Sequence, residues 1–215
     1  LRRFELLGWL FGKALIDSRH DERLLPLRLS PSFIDLSLGR EPTVQTSMRQ
    51  YGEWAALATL AAQEVQGGAM VLLLLEQLHG VRNGTIALHD AAEMIEMCEI
   101  TFVDPAADEA PLCPGGEDRP VSWPDVEEFL GLLTSAWLGE GVRLQCNYFA
   151  RALGQVVPLK KLDLFTTTEL LELVCGAAVD WNAEDLEQCV VPGDGYTRDS
   201  EPYLWLLEVL GSLLE

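Results

Sequence analysis

No apolar run in this sequence is longer than the seven residues from Ala69 to Leu75, whereas a membrane-spanning helix needs about 20. A bilayer-spanning role is therefore not expected. No basic segment followed by an apolar stretch opens the chain, so nothing marks a secretory signal. Histidine is scarce, with only His20, His79 and His89, and the five cysteines (Cys98, Cys113, Cys146, Cys175, Cys189) include no CxxC pair. That set predicts no metal site, no disulfide framework and no cofactor. Unpaired thiols suit a reducing, intracellular compartment, cytoplasm or nucleus. Also missing are the phosphate-cradling G-x-x-x-x-G-K and G-x-G-x-x-G loops, the H-E-x-x-H zinc helix and the G-x-S-x-G nucleophile turn.

Positive charge is short in one part of the chain only. From Leu1 to His89 nine acids balance nine bases, while from Asp90 to Glu215 there are 25 acids against six bases, which supplies the whole net charge of −19. Such a surface repels phosphate backbones and argues against nucleic acid. A basic protein partner fits better, since complementary fields speed encounter, although an ordinary solvated surface has the same composition.

What is present is enough for a core: 215 residues, 48% of them hydrophobic, with six tryptophans. Phe4, Leu7, Leu10, Phe11, Ala14 and Leu15 fall on one helical stripe. Further helices are predicted after Ser30-Pro31, over 53–66, 69–79 and 85–97, from Ser122-Trp-Pro-Asp125 to Gly139, and over 142–153, 167–174, 182–190 and 201–214. Between them, Cys98, Ile100 and Phe102 alternate with polar residues as in a short strand, and 119–122 is a candidate partner strand beyond the Pro114-Gly115-Gly116 turn. The expected fold is α+β and predominantly helical. Adjacent carboxylates such as Glu127–Glu128 point in different directions on a helix, and Cys175 has no neighbour to lower its pKa. These patterns alone describe an acidic, helical interaction domain.

Three ordered blocks go further. They are Leu7-Gly8-Trp9-Leu10-Phe11-Gly12-Lys13-Ala14-Leu15-Ile16-Asp17 with Leu25-Pro26-Leu27 and Ser30-Pro31-Ser32-Phe33; Ile100-Thr101-Phe102 through Pro114-Gly115-Gly116 to Pro120-Val121-Ser122 and Val126-Glu127-Glu128-Phe129-Leu130; and Val157-Pro158-Leu159, Leu162, Phe165-Thr166, Glu169-Leu170, Leu173, Cys175-Gly176 and Asp194-Gly195-Tyr196-Thr197-Arg198-Asp199-Ser200. Together they resemble the amino-terminal lobe of HECT-type ubiquitin ligases across residues 1–215. The tryptophan–asparagine–acid insert after Gly176 is similar to the ubiquitin-fusion-degradation branch. Residues 43–90 depart from the family pattern, and Ala152-Leu153 stand where it usually has Gly-Phe.

The resemblance implies a small inserted α+β subdomain over 85–139 that docks a ubiquitin-loaded conjugating enzyme. Ubiquitin would then pass by transthiolation to a cysteine in a carboxy-terminal lobe and on to a lysine of a protein substrate. That lobe is expected beyond Glu215, and Leu1 in place of an initiator methionine fits a fragment, so no catalytic residue is assigned here. Phe129, with Leu133 one turn later, is expected to line the docking groove, with Ile100 and Cys98 on its other wall. The alternative is a non-catalytic helical interaction module from a degenerate ligase.

Overall fold

The computed structural model describes residues 1–17, 29–63, 65–176 and 189–212. The chain divides into two compact units, Leu1–Gly176 and Ala177–Glu215. The first contains helices α1 (Arg2–Asp17), α2 (Pro31–Ser37), α3 (Ala55–Ala61), α4 (Gly68–Arg82), α5 (Leu88–Met97), α6 (Val126–Leu138), α7 (Glu140–Val156), α8 (Leu159–Leu162) and α9 (Thr167–Cys175). Its sheet consists of two short antiparallel strands, β1 (Val103–Asp104) and β2 (Ala110–Pro111). The predominantly helical α+β expectation holds.

Two apolar cores form within this unit. One joins α1, α2, α7, α8 and α9, where Phe149 meets Phe11 edge-on at 5.6 Å and Phe33 at 5.1 Å. The glycines of the first sequence block explain how α1 comes so close. A Cβ on Gly8 would sit 2.3 Å from the Phe149 carbonyl oxygen, and one on Gly12 would sit 2.8 Å from the Val156 Cβ. Glycine costs a helix interior about 1 kcal/mol relative to alanine, and here it admits the α7 backbone directly against α1. Small Ala152 lies at the same crossing, 3.0 Å from the position of that Gly8 Cβ.

Buried polar groups fix α2 to the far end of this core. Asp35 is 2% exposed, accepts the Thr43 amide at 2.8 Å and takes a hydrogen bond from the Thr167 hydroxyl. Arg40 donates to the carbonyls of Leu162 (2.7 Å) and Phe165 (3.0 Å), which ties the loop after α2 to α8 and the start of α9. Thr166 and Glu169 form a capping box at that start: the Glu169 amide donates to the Thr166 hydroxyl and the Thr166 amide to the Glu169 carboxylate. The spacing in the third sequence block is thus the chemistry of a helix N-terminus.

The second core runs from Tyr51 to Leu138, so the helices preceding the 85–139 window share its interior. It gathers the inner faces of α3, α4, α5 and α6 with Phe102 and Val121. Only Gly139 separates α6 from α7, so the two cores are joined through consecutive helices.

Several expectations need correction. The strand predicted from Cys98 is a helix end: Cys98 caps α5 in a helical conformation and Glu99 turns the chain with φ of 48°. What remains of the pairing is a single bridge between Thr101 and Pro120, followed by β1 and β2. The helix expected over 53–66 is split into a 3₁₀ segment, Thr46–Trp54, with Gly52 at φ of 60°, and a short α3. The helix expected at 182–190, the insert after Gly176 and Leu25-Pro26-Leu27 fall wholly or largely outside the described residues.

In the second unit, α10 (Glu201–Ser212) starts where Ser200 accepts the Leu204 amide on its carbonyl and the Thr197 amide on its hydroxyl. Tyr203 is buried and its hydroxyl donates to the Val190 carbonyl at 3.0 Å.

Two glycine substitutions should move stability in opposite directions. Gly8→Ala forces a methyl into the α7 backbone and should lose about 1–3 kcal/mol, as overpacking does. Gly131→Ala on α6 meets nothing nearer than Trp54 at 3.9 Å and should gain up to about 1 kcal/mol in helix propensity. Urea unfolding of both variants beside the parent chain measures the two signs.

Candidate functional site

The region marked by the second sequence block is organised by Phe102. Its amide donates to the carbonyls of Gly116 (2.9 Å) and Arg119 (3.1 Å), and its carbonyl accepts the Leu112 amide at 2.8 Å. A Cβ on Gly116 would lie 2.3 Å from that carbonyl oxygen, which is why glycine follows the Pro114-Gly115 turn. The Phe102 ring meets Phe129 edge-on, with centroids 5.6 Å apart and planes at 88°. Over its outer face lies the Arg119 guanidinium, 3.9 Å from the centroid.

Arg119 is also held from the side. It grips Glu128 with both branches, at 2.9 and 2.7 Å, and reaches Asp125 at 2.8 Å. The hydrogen bond to Glu128 raises the arginine pKa further and holds the Glu128 carboxyl below the usual glutamate range. Asp125 is lowered too, first by the Ser122 hydroxyl that donates to it and then by Arg119. All three groups stay charged at neutral pH and clamp the turn onto the first turn of α6.

The structure sorts the four expected groove residues into different places. Phe129 and Leu133 are both fully buried, 0% exposed, in the core that runs from Tyr51 to Leu138. Leu130, about 100° around α6 from Phe129, is equally buried on the same apolar stripe, and Phe102 and the hairpin cover the Phe129 edge of that stripe. Ile100 is half-buried against the same core, with its carbonyl accepting the Val121 amide at 2.7 Å. Cys98 is exposed at the end of α5 and does not share a strand face with Ile100. In this conformation Phe129 and Leu133 therefore lie beneath the surface and form no open groove wall.

The surface apolar residues of this region are on α5, and sequence periodicity passed over them. The helix buries only Ala91 and Ile95. Met94 and Met97 stay 41% and 75% exposed. With Asp90 and Glu93 they complete an i, i+3, i+4, i+7 set and so share one flank. The signal was in the sequence: a helix whose inner stripe is met by two residues leaves its methionines unplaced. Met side chains adapt to irregular apolar surfaces and recur at binding faces.

Among the described residues no group of three or more His, Cys, Asp or Glu could hold a metal ion, and no helix is long and apolar enough to cross a membrane. Cys98, Cys113, Cys146 and Cys189 form no disulfide, and burial raises the Cys146 thiol pKa.

Comparison with known proteins places the chain. The sequence model described as HECT-domain (ubiquitin-transferase) matches residues 1–215. E3 ubiquitin-protein ligase TRIP12 of Danio rerio is 30% identical over 219 residues, covering 98% of this chain and 10% of that protein. E3 ubiquitin-protein ligase UPL3 of Arabidopsis thaliana is 31% identical over 98% of this chain and 11% of its own length. Ubiquitin fusion degradation protein 4 of Saccharomyces cerevisiae is 25% identical over 91% of this chain and 12% of its own length. The chain thus spans about a tenth of these relatives, with both the ligase and the ubiquitin-fusion-degradation names among them.

Burial at Phe129 and Leu130 leads to a stability prediction. Phe129→Ala should cost about 3–5 kcal/mol and Leu130→Ala about 2–5 kcal/mol, the range for emptying a packed core site. Chemical denaturation would show two comparable losses. A Phe129→Ala chain as stable as its parent would contradict the buried placement.

Proposed function

This chain belongs to the HECT-domain family, and from that premise we propose that it docks a ubiquitin-loaded conjugating enzyme through the exposed flank of α5. The observation that carries the reading is the pair Met94 and Met97, left in solvent on a helix that is otherwise anchored by Ala91 and Ile95. Exposed Cys98 and half-buried Ile100 continue from the end of that helix and form the rim. Phe129 and Leu133 act from below, as the packed floor that holds the segment rigid. A rigid scaffold under adaptable thioether side chains suits a partner that must bind, release and be replaced.

Docking serves transfer. A thiolate in a carboxy-terminal lobe attacks the carbonyl carbon of the conjugating enzyme's ubiquitin thioester; a new thioester forms and the enzyme's own thiolate leaves. Attack by a substrate lysine then forms an amide and releases the second thiolate. The partners are a ubiquitin-conjugating enzyme, ubiquitin and a protein substrate, within the cell. The family membership supports this scheme, and this chain's share of it is to hold and orient the first partner.

Two measurements test the proposal. Met97→Asp should weaken binding to a conjugating enzyme by about thirtyfold, the effect of losing about 2 kcal/mol at an interface anchor, while the melting temperature stays the same because the residue is largely exposed. Titration calorimetry beside thermal melts reads both, and an unchanged Kd would remove α5 from the docking face. The isolated chain, incubated with activating enzyme, conjugating enzyme and ubiquitin, should show no thiol-sensitive ubiquitin adduct on a non-reducing gel. An adduct on any of its five cysteines would overturn the assignment of transfer to another lobe.

A further inference from the structure

The segment that forms the second core, residues 51–138, holds 15 carboxylates and only two cationic side chains, Arg82 and Arg119. Both are already engaged. Arg82 lies 2.9 Å from Glu127 and 3.7 Å from Glu53, and Arg119 is clamped by Asp125 and Glu128. Nothing is left over for α5. Its acids Asp90, Glu93 and Glu96, and Glu99 just beyond, are all exposed, and none is paired with a basic side chain among the described residues.

The spacing sharpens the point. Asp90, Glu93 and Glu96 follow one another at i, i+3 intervals, at which like charges on a helix repel. Asp90 and Glu93 also share their flank with Met94 and Met97. The free protein therefore holds a repulsive row of carboxylates against uncovered apolar surface, and one kind of neighbour relieves both at once. That neighbour places an apolar side chain over the methionines and ammonium or guanidinium groups beside the acids.

From this complementarity we infer that the α5 face selects among conjugating enzymes by charge, taking those whose apolar docking tip is flanked by lysine or arginine. The inference rests on the docking function proposed above and adds to it which member of the partner class is chosen. Like-charge contact with an acid-flanked enzyme would be the rejecting element. Because these carboxylates are exposed, selection operates through a screened field. It is strong at low ionic strength and fades as the Debye length shrinks from about 10 Å at 0.1 M salt to about 3 Å at 1 M.

A charge-swap cycle tests it. The wild-type chain and Asp90→Lys/Glu93→Lys are each titrated with a basic-flanked conjugating enzyme and with the same enzyme carrying glutamate at its flanking lysines, in 50 mM and 500 mM salt. The expected result is a loss of at least tenfold for either single-sided swap at 50 mM salt, recovery when both sides are swapped, and convergence of the four affinities at 500 mM. Thermal melts of the variant should match the parent, since it relieves repulsion at exposed sites. Equal affinities at low salt, in a chain whose binding Met97→Asp still weakens, would overturn charge selection and leave docking standing. If no conjugating enzyme binds, docking itself fails. The face is then read directly by titrating a capped Lys-Phe-Lys tripeptide while following the Met94 and Met97 methyl signals. A saturable shift that the Lys/Lys variant lacks supports a basic-apolar recognition face, and no shift overturns it.

Discussion

Phe102 is the contact on which the core between residues 51 and 138 depends. The sheet there is too small to support itself, with two strands of two residues and one isolated bridge. A single aromatic residue compensates: its peptide group joins three turns of chain, its edge meets α6 through Phe129, and its outer face is covered by Arg119. An ordinary hairpin distributes this role over many ladder hydrogen bonds. Here the neighbouring sequence is constrained around one ring, with glycine at 116 for clearance, arginine at 119 as the lid, and acids at 125 and 128 to hold the lid.

The same arrangement accounts for what could and could not be read from residues alone. The long amphipathic helices were legible, because residues such as Leu7, Phe11 and Ala14 recur at helical spacing and nothing competes with them. The helices predicted from 167 and 201 begin there because start signals are local, whereas the Thr166–Glu169 capping box emerges from the structure. The alternation from Cys98 to Phe102 misled, because a helix end followed by a left-handed Glu99 can place apolar residues two apart without any strand. The surroundings of Phe129 were less legible. Val126, Phe129, Leu130, Leu133 and Trp137 make one apolar stripe on α6, but that Phe102 and the hairpin cover its Phe129 edge is settled by contacts distant in sequence. The exposed methionines of α5 posed the converse problem, since Met94 and Met97 look like core residues until the helix is seen to be anchored by two others.

Charge is organised in a similar two-level way. In residues 51–138 the two arginines serve internal clamps, Asp104 is buried where it accepts the Trp137 indole N–H, and the acids of α5 are left to the surface. Arginine suits the clamp at 119 because its planar fork can grip Glu128 with two branches while lying flat on Phe102. A lysine there would keep the charge and lose the geometry. The division lets one stretch of sequence be both internally rigid and outwardly anionic.

The discontinuity of the first core has a consequence for synthesis. Trp9 and Glu5 on α1 bond to Gln155 and Arg151 on α7, each across 146 residues of sequence. During translation α1, with Leu6, Trp9 and Leu10 on its outer surface, leaves the ribosome well ahead of its partner helix α7. The core between residues 51 and 138 is contiguous and can condense while α1 still waits. When α7 emerges directly behind α6, the preformed core shortens the effective loop that α1 must close. The order of the elements along the chain thus makes the anionic half the template, and leaves the glycine-faced α1 exposed to chaperones for as long as α7 remains in the tunnel.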